Sequence, residues 1–260
     1  MAKTTQSKTK KAPKKPAPAE FGLRAYLKQS RELLTSMVLV LPLFVLYQVG
    51  VLATDGVRNG VDFVTSLMWM AAGEDRLVYL AINAAFLVSF CVGIVIVRRR
   101  GGTFEPRIFP YVVVESTVYA SLFGAAVLQI MNVLGFGGLL ASGANGAEFG
   151  VIQKIVLSLG AGVYEELVFR LIGMGGIFWV LERFARDLPR WISALIAVTL
   201  SSLIFSAIHH IGALGDPFTL GVFLFRFFAG ALLAFIYWTR GFAVVVYTHA
   251  IYDIIVMLGR

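Results

Sequence analysis

This chain repeatedly places charged residues inside apolar runs of about 20 residues, the length a helix needs to cross the core of a bilayer. Glu115, Glu165, Glu166, Arg170, Arg226 and Asp253 all fall within such runs. The three histidines, His209, His210 and His249, lie in or at the ends of them. An ionised side chain near the middle of a span costs at least about 2.5–3.5 kcal/mol on insertion scales. Such residues must therefore face one another or a wet cavity rather than lipid. Composition points the same way: with 58% hydrophobic and 15% charged residues, a soluble domain of 260 residues would lack a polar exterior. The alternating pattern of a membrane β-barrel is missing. The expected fold class is all-α, a polytopic transmembrane helix bundle.

The apolar runs predict seven helices, at roughly 34–53, 77–97, 110–134, 151–181, 191–210, 218–239 and 242–258. Residues Val61–Ala72 form a shorter apolar stretch, read as interfacial. Three regions follow: a basic disordered tail over 1–31, amino-terminal transmembrane helices over 32–140, and a core over 150–258. No internal repeat is visible, which disfavours an inverted-repeat transporter.

The charge pattern predicts a topology. Nine Lys and Arg residues up to Arg31 face Glu20 alone in the tail, and these account for most of the net charge of +8. Arg98, Arg99, Arg100 and Arg107 follow the second run, Arg183, Arg186 and Arg190 the fourth, and Arg240 the sixth. The alternate loops are neutral or acidic, with Asp55, Asp62, Glu74 and Asp75, then Glu148, then Asp216. Counting basic residues puts the amino terminus in the cytoplasm. The tail reads as a lipid-touching segment, not a nucleic-acid binder. No cleavable signal peptide is expected, nor a prenylation box at Met257–Arg260. Cys91 reads as a buried, inert thiol within a span.

Spacing groups the polar residues. Glu166 and Arg170 are four apart on one helix face and can pair. Glu165, about 100° around the helix, is then left for another task. His249 and Asp253 are also four apart, as are Phe205 and His209. Taken singly, each pair reads as glue between transmembrane helices, worth about 0.6 kcal/mol per hydrogen bond. Three such signatures on neighbouring helices point to a site. Glu115 and Arg226 lie outside these signatures and are candidates to pair across the third and sixth helices or to line a cavity. The glycines Gly160, Gly162, Gly173, Gly175 and Gly176 suggest close helix packing and local freedom near the carboxylates.

The segment Tyr164–Arg170 carries E-E-x-x-x-R, Phe205–His209 carries F-x-x-x-H, and His249–Asp253 carries H-x-x-x-D. In this order, on successive hydrophobic helices, they resemble the three motifs of the CPBP family, the CAAX prenyl endopeptidase and bacteriocin-processing (Abi) membrane proteins. The resemblance covers about residues 150–258. It implies an intramembrane endopeptidase in which Glu165, assisted by His209, activates a water, and His249 and Asp253 polarise the peptide carbonyl. Glu166 and Arg170 take the place of the family's supporting pair. Where the prenyl endopeptidases have Asn, this chain has Asp253, and an ionised carboxylate cannot donate to an oxyanion. Its alternative task is to orient His249 or stabilise its cation.

The expected cofactor is none, with zinc on Glu165, His209 and His249 as the alternative. The implied partners are the bilayer and a membrane-associated protein or peptide substrate, prenylated or not, and the expected location is a bacterial plasma membrane. Competing readings are a proton-coupled transporter using Glu115, Glu165, His249 and Asp253, and a catalytically silent membrane scaffold.

Overall fold

The computed structural model describes residues 22–60, 62–73, 75–140, 149–211, 215 and 217–259, and these form helices and no strand. A short helix α1 (Leu23–Gln29) leads into α2 (Leu33–Ala53), followed by α3 (Phe63–Ala71), α4 (Arg76–Arg99) and α5 (Ile108–Val133). A single 3-10 turn, Gly137–Leu140, follows α5. The chain then runs through α6 (Val151–Gly160), a π-helical segment (Ala161–Met174) and α7 (Gly175–Phe184) without leaving helical backbone angles. Helices α8 (Arg190–Ile208), α9 (Leu220–Arg240) and α10 (Phe242–Leu258) complete the bundle.

Each helix of the expected seven appears within a few residues of its anticipated limits. By length and composition, α2, α4, α5, α8 and α9 can each cross a bilayer, while α10 is a shorter apolar helix of 17 residues. Two expectations need correction. The tail does not stay irregular up to residue 31: α1 is helical, because Tyr26 is anchored on α5 by a short hydrogen bond to Glu115. Residues 1–21, with Glu74, Glu148, Asp216 and Arg260, lie outside the described residues. Glu115 does not pair with Arg226 either. It takes Arg240 at the end of α9, with Nε at 2.5 Å and Nη2 at 2.9 Å, and also accepts from Tyr119 at 2.7 Å. Arg240, read as a loop cation, is 8% exposed.

Local chemistry sets the helix limits. Asp75 caps α4 by accepting from the backbone of Leu77 and Val78, Asp62 caps α3 through Thr65, and Thr219 caps α9 through Val222. The turn from α9 to α10 is one residue long. Gly241 makes it with φ of 90°, a conformation that side-chain-bearing residues avoid. Burial follows the sequence gradient. Helix α10 sits at the centre, against α5, the π segment, α6, α9 and α2, and Ala243–Val246 are wholly buried. Helix α4 is the most apolar candidate span yet buries nothing in its apolar window, as a helix facing hydrocarbon would, so Cys91 on it is exposed rather than buried as expected.

Gly162 decides how near α10 comes to the π segment. A Cβ there would lie 2.6 Å from the Cβ of Ala250 and 2.7 Å from the carbonyl oxygen of Val246. Small residues let membrane helices approach in this way. Gly162→Val is expected to destabilise the protein by about 1–3 kcal/mol through overpacking, read as a lower thermal midpoint in detergent. Gly176→Val, in open space at the far end of the same helical run, is the control.

Candidate active site

The polar residues of the last four helices converge. The π segment carries Glu165, Glu166 and Arg170, all 4% exposed or less, where the apolar surroundings give ionised groups no water. A π segment closes i→i+5 hydrogen bonds, and such irregularities frequently mark functional sites.

Glu166 and Arg170 pair as their spacing predicts, Oε1 to Nη1 at 3.1 Å. Arg170 also donates to the carbonyl of Gly230 on α9 at 3.3 Å and lies 4.4 Å above the ring of Phe205 on α8. Glu166 Oε1 further accepts from Nδ1 of His249 on α10 at 2.6 Å. A short bond between charged partners is the strong kind. It fixes the ring so that Nε2 of His249 points at Glu165 Oε2, 3.9 Å away, and at Asp253 Oδ2, 3.6 Å away.

His209 caps the end of α8. Its Nδ1 lies 2.7 Å from the carbonyl of Phe205, which can only accept, so Nδ1 carries a proton and donates. That assignment leaves Nε2 facing Glu165 Oε2 at 3.5 Å, beyond normal hydrogen-bond length. Glu165 Oε1 is satisfied from elsewhere: it accepts from Nδ2 of Asn59, in the loop between α2 and α3, at 2.8 Å. No sequence pattern signals this contact, since an asparagine in a polar loop 106 residues away belongs to no motif. Tyr164, next to Glu165, is fastened to the amino-terminal helices by hydrogen bonds from Gln48 at 2.8 Å and Thr65 at 3.1 Å.

All six expected residues, Glu165, Glu166, Arg170, His209, His249 and Asp253, therefore share one cluster. His210 does not: it packs against Phe218 and Phe223. Arg226 lies close enough to Asp253 for their charges to interact. Among the described residues, no group of three His, Cys, Asp or Glu side chains that could hold a metal ion is found.

A family model described as type II CAAX prenyl endopeptidase, Rce1-like, matches residues 147–255. Over that segment the chain is similar to the type II CAAX prenyl endopeptidases of the CPBP family. No curated protein and no solved structure matches the chain. The Rce1-like family is one of CAAX-type intramembrane proteases, and the five described helices long and apolar enough to cross a bilayer agree with an integral membrane protein. The match includes all six clustered residues and stops short of Asn59 and the helices that carry its loop.

Because Glu166 and Arg170 are 0% and 1% exposed, removing Arg170 leaves the buried Glu166 with the His249 ring as its remaining ionic partner. Arg170→Met is expected to cost about 3–5 kcal/mol, seen as a sharp fall in thermal midpoint. The double variant Glu166→Gln, Arg170→Met, which removes both charges of the pair, should recover part of that loss.

Proposed function

We propose that the Rce1-like segment hydrolyses peptide bonds of membrane-associated proteins or peptides using a water activated by Glu165 and His209, without a metal ion. The observation that carries this reading is the opposition of Glu165 Oε2 and His209 Nε2. In a neutral His209 whose Nδ1–H donates to Phe205, the Nε2 lone pair faces the carboxylate oxygen at 3.5 Å. Two acceptors so placed call for a donor of two protons. A water that donates to both would turn its own lone pairs outward, towards a substrate carbonyl.

The steps then balance as follows. The water oxygen bonds to the carbonyl carbon as one of its protons passes to Glu165. The carbonyl becomes an oxyanion, and Nε2–H of a cationic His249 donates to it. Collapse breaks the carbon–nitrogen bond, and the proton held by Glu165 goes to the departing amine. Glu166 holds His249 in register through Nδ1, in the way a carboxylate orients a catalytic histidine. Asp253 supports the cation rather than the oxyanion, since a carboxylate has no proton to give. The charge balance agrees with this arrangement: the carboxylates Glu165, Glu166 and Asp253 stand against Arg170, Arg226 and a cationic His249.

Substrate choice follows from surroundings as well as chemistry. A cleft of about 620 Å³ is lined by Tyr164 and by apolar residues such as Val40, Phe44, Phe86, Leu167 and Leu171. It suits an acyl or isoprenyl chain better than a polar peptide. The reading therefore favours a lipid-attached or membrane-embedded substrate.

The test is cleavage of prenylated and unprenylated fluorogenic peptides by detergent-purified protein. Glu165→Gln and His209→Ala should each lower kcat by about 10²-fold or more with the thermal midpoint retained. Cleavage should also withstand chelators. Loss of activity on chelation with recovery on adding zinc would overturn the metal-free mechanism, and full activity in Glu165→Gln would overturn the assignment of the base.

A further inference from the structure

We infer that Asn59, outside the family-matched segment, is a positioning residue for Glu165: its side-chain amide holds one carboxylate oxygen so that the other meets the two histidines. The inference rests on the reading of Glu165 as the base and names a part of that site which the three motifs do not contain.

The contact is built from both sides. Asn59 donates from Nδ2 to Glu165 Oε1 at 2.8 Å. Its backbone is held as well, because its N–H donates to the Tyr47 hydroxyl at 3.1 Å and its carbonyl accepts from the N–H of Asp62 at 3.1 Å. The Tyr47 hydroxyl in turn donates to Asp62 Oδ2 at 2.7 Å. Asp62 caps α3 through the N–H of Thr65, and the Thr65 hydroxyl donates to Tyr164, the neighbour of Glu165. The loop is thus tied at both ends to the helix whose carboxylate it touches.

A second observation is independent of these hydrogen bonds. The loop seats against the long helix at Gly160, where a Cβ would stand 2.5 Å from Cε2 of Tyr47 and 3.0 Å from Cβ of Asn59. The helix is bare at the one place where Tyr47 and Asn59 must come close. One turn further along stands Glu165.

The chemistry follows from the division of the carboxylate. The terminal torsion of a glutamate is broad and nearly two-fold, so an untethered carboxylate samples many orientations. The Asn59 amide accounts for Oε1 and leaves Oε2 towards Nε2 of His209 and of His249. An amide donor suits an ionised partner and cannot itself take or release a proton near neutrality. Asparagine therefore fixes the base without competing with it. Aspartate at the same place would present a second acceptor to the same oxygen.

The experiment compares Asn59→Ala, Asn59→Asp and Asn59→Gln with the parent and with Glu165→Gln, in full-length protein, reading kcat, KM and thermal midpoint across pH. Asn59→Ala should lower kcat by about 10- to 100-fold, the scale of a misplaced catalytic group, with KM unchanged. Asn59→Asp, equal in size, should fall further at neutral pH. It should then regain activity relative to the parent as pH drops, when the introduced carboxyl takes up a proton and donates it to Glu165. Asn59→Gln, which keeps the amide, should retain more activity than Asn59→Ala. The charged groups around the pair are His209 on α8, His249 and Asp253 on α10, Glu166 and Arg170 on the π segment, Arg226 acting on Asp253 from α9, and Arg58 and Asp62 on the loop. Burial pushes the Asp62 carboxyl above its ordinary value, so the readout is the ratio of variant to parent at each pH, in which that titration cancels. Equal losses in Asn59→Ala and Asn59→Asp with the same pH dependence, or parental activity in both, would overturn the inference. If Glu165→Gln is itself fully active, the base assignment fails instead, and the two failures are told apart.

Discussion

A carboxylate taken out of water must be paid for by its neighbours, and Glu166 is the residue on which that requirement falls hardest. It has no exposure at all, and one oxygen, Oε1, takes both Arg170 and His249. Desolvating such charges costs several kcal/mol per ion, repaid only when geometry and further hydrogen bonds are right. The repayment draws in the rest of the core. Arg170 reaches the Gly230 carbonyl on α9 and the face of Phe205 on α8, and His249 brings α10. One buried charge thus sets the mutual placement of the four helices that hold the site.

The same bond gives the site its direction. Adjacent residues on a helix project about 100° apart, so Glu165 and Glu166 face different partners although they are neighbours in sequence. The His249 ring addresses both: Nδ1 is fixed on Glu166, and Nε2 turns to Glu165 and Asp253. His209 is oriented by a different acceptor, the Phe205 carbonyl, and its Nε2 converges on the same Glu165 oxygen. Two histidines on two helices are set by hydrogen bonds on their far nitrogens, and the reacting edge of the site is the remainder.

Much of this was legible in sequence for a physical reason. Hydrophobic length fixes where helices run, and a charge inside such a run has few ways to exist, so Glu166 with Arg170, His209 and His249 were identifiable before their partners were. Spacing of four works within a helix because geometry there is local. It fails across helices. Arg240 stood at a helix end, where a cation reads as a topology marker, yet it is the buried partner of Glu115. Tyr26 lay in a tail whose composition suggested disorder, yet its hydroxyl and ring join that same pair and order α1. Arg226 was the reasonable alternative on charge alone, and only the three-dimensional path of α9 separates the two arginines.

Asn59 shows a deeper limit. A motif is visible when the residues that act together are close in sequence or unusual where they stand, and Asn59 is neither. An asparagine in a turn is ordinary, because its side chain commonly serves turns of this sort. What makes it different is a chain of contacts, from Tyr47 on α2 through Asp62 to α3, that ends at the bare surface of Gly160. The helices outside residues 147–255 are therefore more than an anchor for the matched segment. Glu165 on its own helix has a backbone position and a broad terminal torsion; its carboxylate plane comes from the loop between α2 and α3. The division has a simple rationale. A helix can place a charged group in a membrane, because its backbone is already satisfied there. A loop can approach that group from the side and spend a single amide on it, at the one place where a missing Cβ leaves room.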